Sequence, residues 1–223
     1  MVDLVRQHAR LETGRLDRHR RAVNRPFYDF GRGLCEIVIR TVYGFRPIQL
    51  ENVPQGGPVI LACNHVSYLD PVVLGIGFTR PVTYLAKKEL FAIPVLGRII
   101  TALGVYPLDR EAGGVAAVRA ALRALKDGCC VGIFPEGTRN LTGDIQGKGG
   151  AALLGALSGA PVVPVAISGT RRARPFHPIR VIYGAPIRVE RKRKADGDDL
   201  EKWTAEIMRR IRALEESIGA QGG

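Results

Sequence analysis

An α/β domain with one largely parallel central sheet flanked by helices is the expected fold of this 223-residue chain, for three reasons. Short apolar runs rich in Val and Ile alternate with segments of helical period, the pattern of strand–helix–strand units. Four of the strand candidates run directly into charged or hydroxyl side chains. Apolar residues make up 46% of the chain, enough for one full core. The strand candidates are 59–63 (VILAC), 82–86 (VTYLA), 104–108 (GVYPL), 130–134 (CVGIF), 162–168 (VVPVAIS) and 179–184 (IRVIYG).

Three regions are expected in order. Residues 1–25 hold Arg6, Arg10, Arg15, Arg18, Arg20, Arg21 and Arg25, and read as a basic, solvated N-terminal segment. Residues 26–45 form an N-terminal amphipathic helix: Phe27, Phe30, Leu34, Ile37, Val38, Thr41, Val42 and Phe45 recur at three- and four-residue steps, with Arg32, Glu36 and Arg40 largely off that stripe. Such a helix either packs on the domain or lies in a membrane interface. Residues 46–220 form the domain proper. Within it, Val115, Val118, Leu122 and Leu125 mark a helix ending at Gly128, and 148–158 a small-residue helix. Leu200, Trp203, Ile207, Ile211, Leu214 and Ile218 mark a C-terminal helix opened by Asp198-Asp199-Leu200-Glu201. The apolar stretch Leu90–Ile100, broken by Pro94 and Gly97, is either a buried helix, the wall of a lipid site or a membrane-facing surface.

Composition narrows the function. The formal charge of +12 implies an anionic partner: nucleic acid, an anionic membrane surface or phosphorylated substrates. Aromatic residues are only 6%, and no helix-turn-helix, RNP or zinc pattern occurs, so no nucleic acid is expected. Cys35, Cys63, Cys129 and Cys130 lack metal or disulfide spacing, which favours a reducing compartment. No metal is expected. The basic N-terminus has no apolar signal-peptide core, and no run of 18 apolar residues predicts a spanning helix.

The chemistry gathers in loops after strands. In Asn64-His65-Val66-Ser67-Tyr68-Leu69-Asp70 an imidazole and a carboxylate are spaced for a turn to bring them together, the carboxylate holding the tautomer. Asp70 before Pro71 also reads as a helix N-cap. Those two roles are compatible if one oxygen caps and the other faces His65. Phe134-Pro135-Glu136-Gly137-Thr138-Arg139 follows another strand, with Gly137 for close backbone approach, Thr138 for its hydroxyl and Arg139 for a bidentate grip on phosphate. Arg110, after Gly104-Val105-Tyr106-Pro107-Leu108-Asp109, and Lys87 add cations at two further strand ends.

At these residues the chain resembles the 1-acyl-glycerol-3-phosphate acyltransferase (PlsC-like glycerolipid acyltransferase) family. NHVSYLD is similar to its first motif, GVYPLDR to its second, FPEGTR to its third and VVPVAI with Pro164 to its fourth, in the family's order over about residues 58–170. The second motif departs in having Leu108-Asp109 before its Arg, and the N-terminal segment is less hydrophobic than in members with spanning helices. The resemblance implies acyl transfer from acyl-CoA or acyl carrier protein to the hydroxyl of 1-acyl-glycerol-3-phosphate, giving phosphatidic acid. His65 would be the general base, Asp70 its partner, and Asn64, Lys87, Arg110, Glu136, Gly137, Thr138 and Arg139 the substrate-binding residues. Glycerol-3-phosphate, another lysophospholipid or a lipidated amino acid are alternative acceptors. No cofactor is implied, because the thioester is already activated and needs no covalent enzyme intermediate. Ser67 and Cys63 are then spectators. The oxyanion donors are expected among turn amides near His65 or Gly137. The implied location is the cytoplasmic face of the cell membrane, peripheral or monotopic, with an anionic membrane surface as partner.

Overall fold

The computed structural model describes residues 25–78, 80–102, 105–108, 113–140, 147–192 and 196–220. The basic segment 1–24 and Arg110 lie outside the described residues. In order, the elements are α1 (Arg25–Tyr43), β1 (Arg46–Ile48), β2 (Val59–Cys63), α2 (Asp70–Ile76), β3 (Val82–Thr83), β4 (Leu85–Lys87), α3 (Pro94–Ala102), β5 (Tyr106–Leu108), α4 (Gly113–Lys126), β6 (Cys130–Ile133), α5 (Gly150–Ser158), β7 (Val162–Ser168), β8 (Arg180–Tyr183) and α6 (Gly197–Ala220).

Six strands form one sheet in the order β1-β8-β7-β2-β6-β3. The central block β7-β2-β6-β3 is parallel throughout, and β8 reverses the direction by pairing antiparallel with β7. A parallel sheet is buried on both faces, so its strands read as unbroken apolar runs. In β2 the pleat sends Val59, Leu61 and Cys63 to one core, with Ile39 of α1 and Val73, Leu74 and Ile76 of α2. Ile60 and Ala62 enter the opposite core, among residues of α4, α5 and α6. The last helix contributes Ile207, Met208 and Ile211 there, with Leu200 and Trp203 packed at its edge.

One expectation needs correction, and one alternative left open by the sequence is narrowed. The run 82–86 is not one strand: β3 pairs with β6 in the main sheet, whereas β4 pairs with β5 in a separate two-stranded ribbon. The switch falls at Tyr84, whose hydroxyl donates to Pro71 O at 2.8 Å. Its ring lies where a side chain at Gly132 would have to go. Second, the apolar stripe of α1 does not all face the core. Tyr28 and Ile39 are buried, while Phe30, Leu34, Ile37 and Val38 are exposed. The polar positions of α1 form an ion-pair ladder instead, with Glu36 between Arg32 and Arg40 at 2.9 Å each. Of the apolar stretch 90–100, Leu90 and Ile93 are exposed and Ile100 lines a cavity. Among the described residues no helix is long and apolar enough to cross a membrane. Strand β1 was missed, because Arg-Pro-Ile is too short and too polar to signal a strand.

Arg80 closes the edge opposite the site. Its guanidinium donates to the carbonyls of Pro54, Gly57 and Gly128, tying the approaches to β2 and β6 together before they pair. Arg80→Ala is expected to cost about 1–3 kcal/mol, since charge-assisted bonds to backbone are lost and water replaces them only in part. The check is the urea midpoint at constant m-value; an unchanged midpoint would show that solvent satisfies the three carbonyls equally well.

Candidate active site

His65, Glu136 and Thr170 follow the C-terminal ends of β2, β6 and β7, three adjacent parallel strands. In open α/β sheets the crevice beyond the strand carboxyl ends collects functional groups, because loops there converge without disturbing the ladder. Here the sequence-predicted pair meets as expected: His65 Nδ1 lies 2.9 Å from Asp70 Oδ2, which leaves Nε2 as the ring nitrogen facing away from the carboxylate. The imidazole is 17% exposed and stacks on Phe134, ring centroids 4.2 Å apart at 26°.

Asp70 does not cap its helix. Oδ2 accepts from the backbone amides of Val66 and Ser67, both at 2.7 Å, as well as facing His65. Oδ1 accepts from Thr170 Oγ1 at 2.6 Å. One carboxylate, fully buried, therefore folds the turn back on itself and joins it to the loop after β7. A buried carboxylate is tolerable when its lone pairs are taken this way. Thr170 was missed because it lies 100 residues from its partner. Nothing local in the sequence marks that contact.

Asn64 is a staple, which does not fit the substrate-contact role expected of it. It is 2% exposed; its Nδ2 donates to Ile167 O (3.0 Å) and Glu215 Oε1 (2.6 Å), while its Oδ1 accepts from Ile167 N (2.8 Å). It thus pins the turn to β7 and to α6. Glu136 also faces inward. It is 8% exposed, and its Oε1 accepts from His65 N at 3.3 Å, while Oε2 is buried with no hydrogen-bond partner among the described residues. Burial raises its pKa, opposed by the His65 amide and reinforced by Glu215. Burial likewise raises Glu215, opposed by its bond from Asn64.

Gly137 takes φ +72, a left-handed conformation that glycine adopts without strain, and Lys148 packs over it. Thr138 and Arg139 are exposed, and the Arg139 guanidinium lies 3.7 Å above the Tyr68 ring centre. The backbone of Lys87 ends β4, in register with Leu108 of β5. Of the turn amides near His65 and Gly137, four are already used. His65 N donates to Glu136, Val66 N and Ser67 N to Asp70, and Gly137 N to Phe134 O. Ser67 Oγ accepts from Leu69 N, in keeping with a spectator role. Cys63 is buried, and burial holds its thiol well above the usual range.

A cavity of about 780 Å³ opens from His65, Phe134, Gly137 and Lys148. It runs between Val72 and Ile76 of α2 and Tyr28 and Cys35 of α1, and its lining is mostly apolar. Arg32, the other basic lining residue, is paired with Glu36. Lys148 was missed because a lone Lys between glycines in Gly147-Lys148-Gly149 carries no pattern. Among the described residues no His, Cys, Asp or Glu group could hold a metal ion.

An imidazole–carboxylate pair at a parallel-sheet edge, opening on a long apolar cavity, defines a hydrolase- or transferase-type site for an apolar substrate. The model of the Acyltransferase family matches residues 45–168, and the chain belongs to that family. It is 29% identical over 196 residues to a 1-acyl-sn-glycerol-3-phosphate acyltransferase of Bacillus subtilis, covering 86% of this chain and 98% of that one. A Borreliella burgdorferi protein of the same name is 33% identical over 123 residues, covering 54% of this chain and 49% of the other. The crystal structure of the 1-acyl-sn-glycerophosphate (LPA) acyltransferase PlsC from Thermotoga maritima superposes with a TM-score of 0.62. It is 27% identical, covering 90% of this chain and 78% of that one.

Two outcomes follow from the buried carboxylates. Thr170→Val leaves Asp70 Oδ1 buried without its donor, and acyl transfer is expected to fall roughly tenfold or more, with Thr170→Ser close to wild type. Steady-state kcat with parallel thermal melts checks this; wild-type turnover by Thr170→Val would mean the bond does not hold the pair. For Glu136, the folded pKa lies above the unfolded one, so the protonated form stabilises the fold. That stability is complete below the unfolded pKa and lost as pH rises through the folded one. Glu136→Gln keeps an acceptor for His65 N and abolishes this titration. The variant should therefore gain on wild type in unfolding free energy as pH goes from about 4 to about 7. Parallel pH profiles would refute the assignment.

Proposed function

We propose that this acyltransferase moves a fatty acyl group from acyl-CoA or acyl carrier protein to the free hydroxyl of 1-acyl-glycerol-3-phosphate, giving phosphatidic acid. The observation that carries this reading is the His65–Asp70 pair set at the head of an apolar cavity of about 780 Å³, with the Lys148 side chain beside it. The names of the relatives support the acceptor.

Nε2 of His65 takes the hydroxyl proton as the oxygen attacks the thioester carbonyl; the Asp70 carboxylate supports the imidazolium. The tetrahedral intermediate collapses with loss of the thiolate, which receives the proton from His65. The C–S bond breaks, one ester bond forms, and the thiol leaves. A positioned base is worth about 10²–10⁴-fold, and the reaction needs no cofactor, because the thioester supplies the driving force. The cavity suits an acyl chain. Its volume lies within the usual range of ligand pockets, and each buried methylene contributes about 0.8 kcal/mol.

Lys148 is the cation best positioned to meet negative charge beside His65, whether on the developing oxyanion or on the acceptor phosphate. Arg139, exposed on Tyr68, is free to swing toward a phosphate at the rim, with Thr138 next to it. Lys87 and Arg110 belong to the same acceptor site in this proposal. Glu136 and Asn64 act one layer deeper, Glu136 holding the His65 amide and Asn64 pinning the turn to Ile167 of β7. Enzyme action is assigned to the cytoplasmic face of the cell membrane, where an anionic surface suits a chain of formal charge +12.

His65→Ala is expected to lower acyl transfer by at least about 10²-fold while the protein keeps its melting temperature and vesicle binding. A mass-spectrometric product assay with acyl-CoA and acyl carrier protein donors, over a panel of lysophospholipid and glycerol-3-phosphate acceptors, reads both base and substrate. Wild-type turnover by the variant would sink the mechanism. Preference for another acceptor would move the substrate assignment and leave the chemistry intact.

A further inference from the structure

The loop between β7 and β8 contains a large apolar side chain held out in solvent. Phe176 is 88% exposed and has φ +65, a conformation that bulky residues rarely take. The backbone around it enforces that position. Phe176 N donates to Val42 O at 2.8 Å, His177 N to Arg174 O at 3.1 Å, and Ile179 N to Tyr43 O at 3.1 Å. Strain of this kind persists where surrounding bonds over-determine it, and it is a pointer to function. A loop free to relax would turn the ring inward or take Gly at this place.

The sequence around the ring is as one-sided as its geometry. From Arg171 to Arg180 there are four arginines and one histidine and no acidic residue. Arg172, Arg174 and His177 are exposed alongside Phe176. Two of the three enforcing bonds end on Val42 and Tyr43, in the last turn of α1. That helix is the one whose Phe30, Leu34, Ile37 and Val38 are exposed while Tyr28 and Cys35 line the cavity leading to His65. The loop is therefore bolted to the C-terminal end of the helix whose earlier turns line the cavity.

We infer that the 171–177 loop is a membrane-docking element. Phe176 inserts at the headgroup–acyl boundary and Arg172 and Arg174 meet lipid phosphates, so that α1 and the loop seat the cavity mouth on an anionic bilayer. The chemistry fits one occupant. An aromatic ring among arginines partitions into an interface in which its body is apolar and its flanks are charged, and each basic residue near an anionic leaflet adds attraction. The inference rests on the reading that the acceptor is a membrane lipid, and its test does not depend on turnover.

Flotation of the full chain with vesicles of phosphatidylcholine, with and without phosphatidylglycerol, measures partition directly. Phe176→Gly removes the ring and at the same time relieves the left-handed backbone, so it should fold; its thermal melt verifies this. Partition onto the mixed vesicles is expected to fall at least about tenfold. Arg172→Glu with Arg174→Glu should lose roughly as much on mixed vesicles and little on pure phosphatidylcholine. Wild-type partition by Phe176→Gly, or an arginine effect equal on both vesicles, overturns the proposal. So does weaker binding to acyl carrier protein with vesicle partition intact, which would make the loop a docking site for an acidic protein. If wild type shows no acyl transfer yet the partition changes are as expected, the loop assignment stands and the enzymatic reading fails.

Discussion

The carboxylate of Asp70 is the group on which the site depends. It is buried, and its two oxygens take the His65 imidazole, two successive amides of its own turn, and the hydroxyl of Thr170. A lone ionised carboxylate in that place would be prohibitively costly, and these bonds are what make it tolerable. The same bonds do three jobs. They close the turn after β2, orient the His65 imidazole, and tie that turn to the loop leaving β7. The geometry of the His65–Asp70 pair and the local fold therefore share a single cause.

Around that group the protein builds a second layer. Asn64 grips both backbone groups of Ile167 and reaches Glu215 on α6, and Glu136 holds the His65 amide from the next strand over. The long C-terminal helix is thereby joined to the residue before His65 through one hydrogen bond, from Asn64 to Glu215, although no residue of it is among the described lining of the cavity. Both acids are held above their usual range by burial. Carboxylates in this layer cost stability near neutral pH, an expense the fold accepts where it fixes the position of a reacting group.

The outer face follows a different rule. Helix α1 is apolar toward solvent as well as toward the domain, and the arginine-flanked Phe176 is fastened to its end. Exposed apolar groups beside a cationic loop are what the proposed docking on a lipid surface requires. Interior and surface therefore support the same reading from independent physics, hydrogen-bonded burial in one case and interfacial partition in the other.

Much of this was legible in the sequence, and the boundary has a physical origin. The parallel sheet announced itself because strands buried on both faces must be continuously apolar, so VILAC and VVPVAIS could hardly be anything else. His65, Asp70 and the FPEGTR turn were readable because the residues of each lie within one short loop, where spacing stands in for distance. Contacts between remote segments left no such trace. Thr170 on Asp70, Glu215 on Asn64 and Lys148 over Gly137 depend on which strands become neighbours, and on that the periodicity is silent. The direction in which the stripe of α1 faces was equally undetermined, since an apolar stripe has the same period whether a core or a membrane covers it. Sequence alone determined the kind of sheet and the pairing of His65 with Asp70, because both lie within one run or one loop; the assembly of the strands decided how that pair is held and which apolar surface stays exposed.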